Sequence, residues 1–245
     1  MTKVFAHRGA SAYAPENTLE AFAVAIDMKA DGIELDVHMT KDGIIVVCHD
    51  DSIDRTSDGK GFIGEMTLRE LRAYNFHGKF VGRRFEIPTL QDVLALMQNA
   101  EMQVNVELKH GPMPYPNYEE AVLEEVARAN MEAQVFYSSF DHYALARLKE
   151  LDAQARTGLL YSAGLVEPWK YAKEQGAFAL HPKYKLVRDA AYISEAHAAG
   201  ILVNVWTVDS KKEILAQARL GVDGIITNKP DVAKAVLEEI EGAYI

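Results

Sequence analysis

Cysteine is nearly absent from this 245-residue chain. Cys48 stands alone, so no internal disulfide framework holds the fold together. Long apolar runs are missing as well: the run Ile44 to Cys48 has the length of a strand, and none approaches the roughly 18 residues of a membrane-spanning helix. Nothing near the N-terminus combines basic residues with an apolar stretch and a small-residue cleavage site, so a cytoplasmic address without stable membrane association is the expectation. Positive charge is in deficit, with 26 Lys and Arg against 36 Asp and Glu for a net charge of -10. That balance argues against nucleic acid or an anionic lipid surface as a partner. It says nothing against a small anionic ligand bound locally. What is present is ordinary for a globular chain, 49% hydrophobic and 25% charged, enough to bury a sizeable core. The sequence carries no signal for a particular oligomeric state.

From about residue 100 onward, short β-branched runs alternate with alanine-rich stretches of helical period. Strands are read at 103–109, 134–140, 156–161, 178–184, 201–208 and 224–228, with starts 31, 22, 22, 23 and 23 residues apart. Each interval fits one strand, one helix and two short turns, which implies a parallel sheet. Residues 3–9 and 32–40 add two strands around a helix near Leu19 to Ala30, making eight. Asn17 with Glu20 reads as a capping-box variant for that helix; Asp141 and either Ser210 or Asp209 read as caps of two later ones. No GxGxxG follows the first strand, so the expected fold is a (β/α)8 TIM barrel rather than an open doubly wound sheet.

The whole chain, 1–245, reads as one such domain with a single break in rhythm. About 70 residues separate Gly32 from Val104, where a βα unit needs roughly 30. A hairpin takes up part of the surplus, with 32–40, a turn at Lys41, Asp42 and Gly43, and a return along Ile44 to Asp50. The rest, 51–88, reads as a small insertion subdomain after the second strand, placed above the catalytic face as a lid or substrate-selecting element.

Strand alternation places Glu34 and Asp36 on one face of the second strand, and Glu107 and Lys109 on one face of the third. Three acids among Val, Ile and Leu residues are costly to bury unpaired. Assembled together they suit one divalent metal ion, Mg2+ or Ca2+; the alternative is a set of salt bridges with Lys109 or Arg8. The hairpin returns His49 opposite the stretch between Glu34 and Asp36. His7 and Arg8 end the first strand, just before Gly9, at the catalytic face. Two histidines, an arginine and three carboxylates suit metal-assisted attack on a phosphate ester. Trp206, two residues beyond Asn204 near the end of the seventh strand, and Phe140 read equally as barrel filling or as substrate-facing walls. Cys48 is expected to face away from the site and pack as a small apolar residue. His38, His77, His110, His142 and His197 carry no assignment.

The segments AHRGASAYAPENTLEAF, GIELDVHMTKDGIIVVCHDDSIDRTSDGKG, NVELK, NVWTV and GIITNKP, in this order, resemble the glycerophosphodiester phosphodiesterase family across essentially the whole chain. The resemblance implies a TIM-barrel enzyme that hydrolyses small-molecule glycerophosphodiesters to sn-glycerol 3-phosphate and an alcohol. It implies His7 and His49 as the general acid/base pair, Glu34, Asp36 and Glu107 as metal ligands, and Arg8 and Lys109 as phosphate holders, with Glu16 and Asn17 supporting them. Many members carry Asp where this chain has Asn228, a difference expected to have little catalytic consequence. Two other readings stay open: a lysophospholipase D-type phosphodiesterase on the same barrel, and a non-catalytic phosphate-binding barrel.

Overall fold

Period-two alternation divides the strand residues into two sets that pack in different places. The computed structural model describes residues 1–80, 82–110 and 114–242. Its strands are β1 (Lys3–His7), β2 (Gly32–Met39), β3 (Ile45–Val47), β4 (Gln103–Leu108), β5 (Val135–Ser139), β6 (Thr157–Tyr161), β7 (Ala179–Pro182), β8 (Leu202–Val205) and β9 (Gly224–Thr227). All except β3 pair in parallel, in the order β1-β9-β8-β7-β6-β5-β4-β2, and β1 also pairs with β2, which closes an eight-stranded barrel. The helices are α1 (Leu19–Asp27), α2 (Leu68–Leu71), α3 (Leu90–Met97), α4 (Tyr118–Arg128), α5 (His142–Leu151), α6 (Pro168–Glu174), α7 (Ala190–Ala198), α8 (Lys211–Leu220) and α9 (Pro230–Gly242). Val4, Ile33, Leu35, Val104, Val106 and Ile225 on the outer strand faces pack with apolar helix residues such as Phe22, Leu94 and Val122 in the main core.

Inside the barrel a separate cluster gathers Phe5, Phe136 and Ile226, with Phe178 and Trp206 packed against it. Phe5 and Phe136 meet edge to face at 5.6 Å. Room for Phe5 comes from Gly32 on the neighbouring strand, where a Cβ would lie 2.5 Å from the Phe5 ring.

β3 folds back antiparallel on β2, with Val37 opposite Val47 and Met39 opposite Ile45. Gly43, at φ 80°, makes the turn, and its N–H donates to the Thr40 carbonyl. The strand is shorter than the sequence suggests and leaves Cys48 and His49 just beyond it. Residues 51–88 contribute a 3-10 turn at Ile63–Glu65 and α2, capped by Thr67. A small apolar cluster of Val46, Cys48, Ile53, Ile63, Leu71, Phe76 and Ile87 packs this segment on the hairpin. The Cys48 thiol, pushed up to about 12 by burial, is one of its apolar members.

Asp141 and Ser210 cap α5 and α8 as expected. The cap of α1 is Thr18 rather than Asn17: the Thr18 hydroxyl accepts from the Ala21 N–H. Asn17 is engaged elsewhere, in a left-handed conformation with its side chain on Asp36.

One interior group sets an acid limit on stability. His181 on β7 is fully buried, accepts from the Asn204 amide at 3.0 Å, and is pushed down to about 3 by burial. An unfolded histidine titrates near 6.5, so below that pH the unfolded chain takes up a proton that the folded one refuses. The contribution of His181 is therefore complete above about pH 6.5 and falls by about 1.4 kcal/mol per pH unit below it, down to the folded value. Between pH 7 and 5 this one residue is expected to remove about 2 kcal/mol. Urea titrations of the native chain and of His181→Gln at both pH values test this; an equal loss in the two proteins counts against it.

Candidate active site

The C-terminal ends of β1, β2 and β4 bring the sequence-derived residues together. His7 stands beside Glu34 across the β1–β2 pairing, and Asp36 beside Glu107 across β2–β4. Oxygen atoms from Glu34, Asp36 and Glu107 lie within 4.8 Å of one another, and all three residues are buried. The two cations considered as alternative partners are both present. Lys109 Nζ donates to Glu107 Oε1 at 2.7 Å and lies 3.5 Å from Asp36 Oδ1. Arg8 donates its backbone N–H to Glu34 Oε2 at 3.0 Å, and its Nε is 3.4 Å from Asp36 Oδ2.

Those cations do not satisfy the cluster. Burial, then repulsion from Asp36 and Glu107, raises the Glu34 carboxyl well above the usual range; burial and the charge of Asp36 push Glu107 up to about 7. Asp36 differs: burial acts upward on it, but Arg8 and Lys109 outweigh that and hold it low. Glu34 Oε1 and Asp36 Oδ1 are buried and have no hydrogen-bond partner among the described residues. Orphaned hard oxygens at this spacing fit a hard divalent cation better than they fit the two side-chain cations alone.

Two contacts determine the tautomers of the histidines. Asn228 Nδ2 donates to the acceptor-only Asp209 carboxylate at 2.6 Å, which orients the amide so that its Oδ1 faces His7 Nδ1 at 2.7 Å. An amide oxygen accepts only, so His7 carries its proton on Nδ1 and keeps the Nε2 lone pair, 4.0 Å from Glu34. His49 likewise donates from Nδ1 to Asp50 Oδ1 at 2.6 Å, leaving its Nε2 without a hydrogen-bond partner among the described residues. Burial, aided by Arg8, lowers His7 to about 4, and burial also lowers His49. Both rings are neutral bases near pH 7.

A cavity of about 80 Å³ joins His7, His49, Arg8, Lys109, Glu34 and Glu107, with Phe140 and Trp206 on its wall. Phe140 meets Trp206 edge to face at 5.4 Å, and the Trp206 indole N–H donates to the His181 carbonyl at 2.7 Å. Asn17 donates to Asp36 Oδ2 at 2.8 Å, and Glu16 accepts from Arg8 Nη1 at 2.8 Å. Arg8 and Asn17 both hold left-handed backbone, φ 56° and 58°, which non-glycine residues adopt at a cost and mostly where a site requires it. Between them Gly9 passes so close to α1 that a Cβ would lie 2.6 Å from the Ala21 backbone.

Four residues of the arrangement went unassigned in the sequence. Asn228 orients His7, so the position expected to have little consequence touches a candidate catalytic ring. Asp50 holds His49, and its place directly after that histidine is the one available cue. Arg55, from the insertion, binds Asp50 and Glu16. His38, buried on β2, donates from Nε2 to the His49 carbonyl at 3.2 Å and accepts at Nδ1 from Tyr115.

Residues 7–232 match the profile of the glycerophosphoryl diester phosphodiesterase family. The chain is 42% identical over 234 residues to a glycerophosphodiester phosphodiesterase of Caldanaerobacter subterraneus subsp. tengcongensis, covering 94% of this chain and 95% of that protein. It is 37% identical to one of Bacillus altitudinis, with 98% and 100% covered. Among solved structures it superimposes on an Oleispira antarctica phosphodiesterase in complex with the product sn-glycerol-3-phosphate, with TM-score 0.84, 27% identity and 97% of each chain covered. A glycerophosphodiester phosphodiesterase from Agrobacterium tumefaciens also has TM-score 0.84, at 28% identity, with 96% of this chain and all of that one covered.

Proposed function

Because the chain belongs to the glycerophosphoryl diester phosphodiesterase family, we propose that it hydrolyses glycerophosphodiesters to sn-glycerol 3-phosphate and an alcohol, with His7 and His49 as the acid/base pair. The observation that carries this reading is the convergence of two neutral imidazoles, two cations and three buried carboxylates on one cavity. Glu34, Asp36 and Glu107 would hold Mg2+ or Ca2+, which supplies Lewis-acid neutralisation of charge developing on phosphoryl oxygen.

The chain's own groups do the rest. Arg8 offers a planar guanidinium and Lys109 an ammonium to the phosphate oxygens. One histidine takes the proton of the attacking hydroxyl at its Nε2; where that hydroxyl is the glycerol 2-hydroxyl rather than that of water, a cyclic phosphate forms as the alcohol leaves, and the two histidines exchange roles as water opens it to sn-glycerol 3-phosphate. The other, protonated beside the anionic diester, returns a proton to the departing alcohol. Asn228 and Asp50 keep both Nε2 atoms turned toward the cavity, and Phe140 and Trp206 wall it from water. The insertion at 51–88 borders the site as a separate small element of the same 1–245 domain.

Release of sn-glycerol 3-phosphate from glycerophosphocholine is expected with Mg2+ or Ca2+, to vanish with EDTA, and to return on adding excess cation. No metal-dependent release from any glycerophosphodiester would favour the phosphate-binding barrel. Faster turnover of a lysophospholipid in the same assay would favour the lysophospholipase D reading.

A further inference from the structure

Arg55 lies in the insertion, outside the barrel, and is about half exposed. Ordinary ion pairs at such positions contribute little. This one differs in its partners. Its Nε and Nη2 donate to the two Asp50 oxygens at 2.7 and 3.1 Å, while Nη1 and Nη2 donate to the two Glu16 oxygens at 2.8 Å each. Asp50 Oδ1 is the acceptor of the His49 Nδ1 proton, and Glu16 Oε1 is the acceptor of Arg8 Nη1. A single guanidinium thus closes a chain from His49 through Asp50, Arg55 and Glu16 to Arg8, spanning both sides of the cavity.

The backbone that carries Arg55 is itself fixed. Ile53 is fully buried in the small apolar cluster, and Thr56 is buried beside Cys48. The Ile53 carbonyl accepts from both the backbone N–H and the hydroxyl of Ser57. A planar fork on a rigid turn can hold two carboxylates at set angles, which a flexible ammonium does less well.

We propose that Arg55 is a positioning residue for the reaction: through Asp50 it fixes the His49 ring, and through Glu16 it fixes Arg8, so that the insertion completes the site from above. Without it, Asp50 and Glu16 lose their common cation, so the carboxylate that holds the His49 ring and the carboxylate that holds Arg8 each lose the contact that fixes their orientation. The catalytic part of this inference rests on the function proposed above; the geometric part does not.

The test compares Arg55→Ala, Arg55→Lys and, as a control for losing an exposed ion pair, Arg147→Ala, whose guanidinium binds Glu120 and Glu150 away from the cavity. Arg55→Ala is expected to lower kcat for glycerophosphocholine by about tenfold or more, the scale of a misplaced acid/base group, with Tm within about 2 °C of the parent. Arg55→Lys is expected to recover part of the loss, and Arg147→Ala to leave kcat unchanged. The activity-independent arm is the titration of His49 followed by NMR in the metal-free protein. Asp50 touches that ring, and the charges of Asp36, Arg8 and Lys109 act on it; removing the cation that neutralises Asp50 is expected to raise the His49 midpoint by about half a unit. A kcat within twofold of the parent, or an unmoved His49 midpoint, overturns the proposal. If the parent itself turns over no glycerophosphodiester, the proposed function falls, and the NMR titration alone decides whether Arg55 governs His49.

Discussion

Alanine at His7 or at His49 is expected to lower kcat by at least about 10²-fold, the usual contribution of a positioned acid or base, with a smaller change in KM. Each ring retains one nitrogen toward the cavity because the other is held, His7 by Asn228 and His49 by Asp50. Neither side chain is a core filler, at 17% and 30% exposed, so the loss belongs to chemistry rather than to folding. The two variants also separate the roles. A substrate with p-nitrophenol as its alcohol needs no proton on departure, so the variant lacking the acid recovers most of its rate on that substrate. The variant lacking the base does not. Near-full activity of both single variants on glycerophosphocholine would sink the pairing.

The barrel was legible because most of its strands alternate and, past residue 100, recur on one rhythm. Outer residues such as Val104 and Val106 are apolar, while Asn105 and Glu107 between them mark the inner face. Glu34, Asp36 and Glu107 were legible for the same reason: charge at inward positions of a buried strand is conspicuous. His49 was found through the hairpin, since a turn at Gly43 fixes the register of what returns. What stayed hidden depends on contacts between segments distant in sequence. Asn17 looks like a helix cap until Asp36 is placed beside it, and only then does Thr18 take over the cap. Asn228 reaches His7 across 221 positions, and its amide orientation is set by Asp209 on yet another loop. Arg55 is one charge among many in a segment without periodicity, and only its partners distinguish it.

Glutamine at Glu34 is expected to separate stability from function most sharply. In the metal-free protein three buried carboxylates crowd one end of the barrel, and Arg8 and Lys109 favour Asp36 over the other two. Glu34→Gln keeps an oxygen to accept the Arg8 backbone N–H, now made by Glu34 Oε2 at 3.0 Å, and gives the position an N–H₂ that can face Asp36 or Glu107. The amide removes the cost of protonating the raised Glu34 carboxyl or of keeping it charged beside Asp36 and Glu107, and no donor is orphaned, so the metal-free variant should be more stable than the parent by about 1 kcal/mol, or about 2 to 4 °C in Tm. Activity should move the other way. A missing ligand removes several kcal/mol of charge stabilisation in the transition state, on the order of 10³-fold in kcat/KM. Cation binding to the folded chain alone raises Tm by mass action, so saturating Mg2+ or Ca2+ should raise the melting point of the parent and leave that of Glu34→Gln nearly unchanged. Equal stabilisation of both proteins by the cation would remove Glu34 from the ligand set. A metal-free variant markedly less stable than the parent would mean that Glu34 is held by the fold for structural reasons, and that the crowding of the three acids is not the strain that a bound cation relieves.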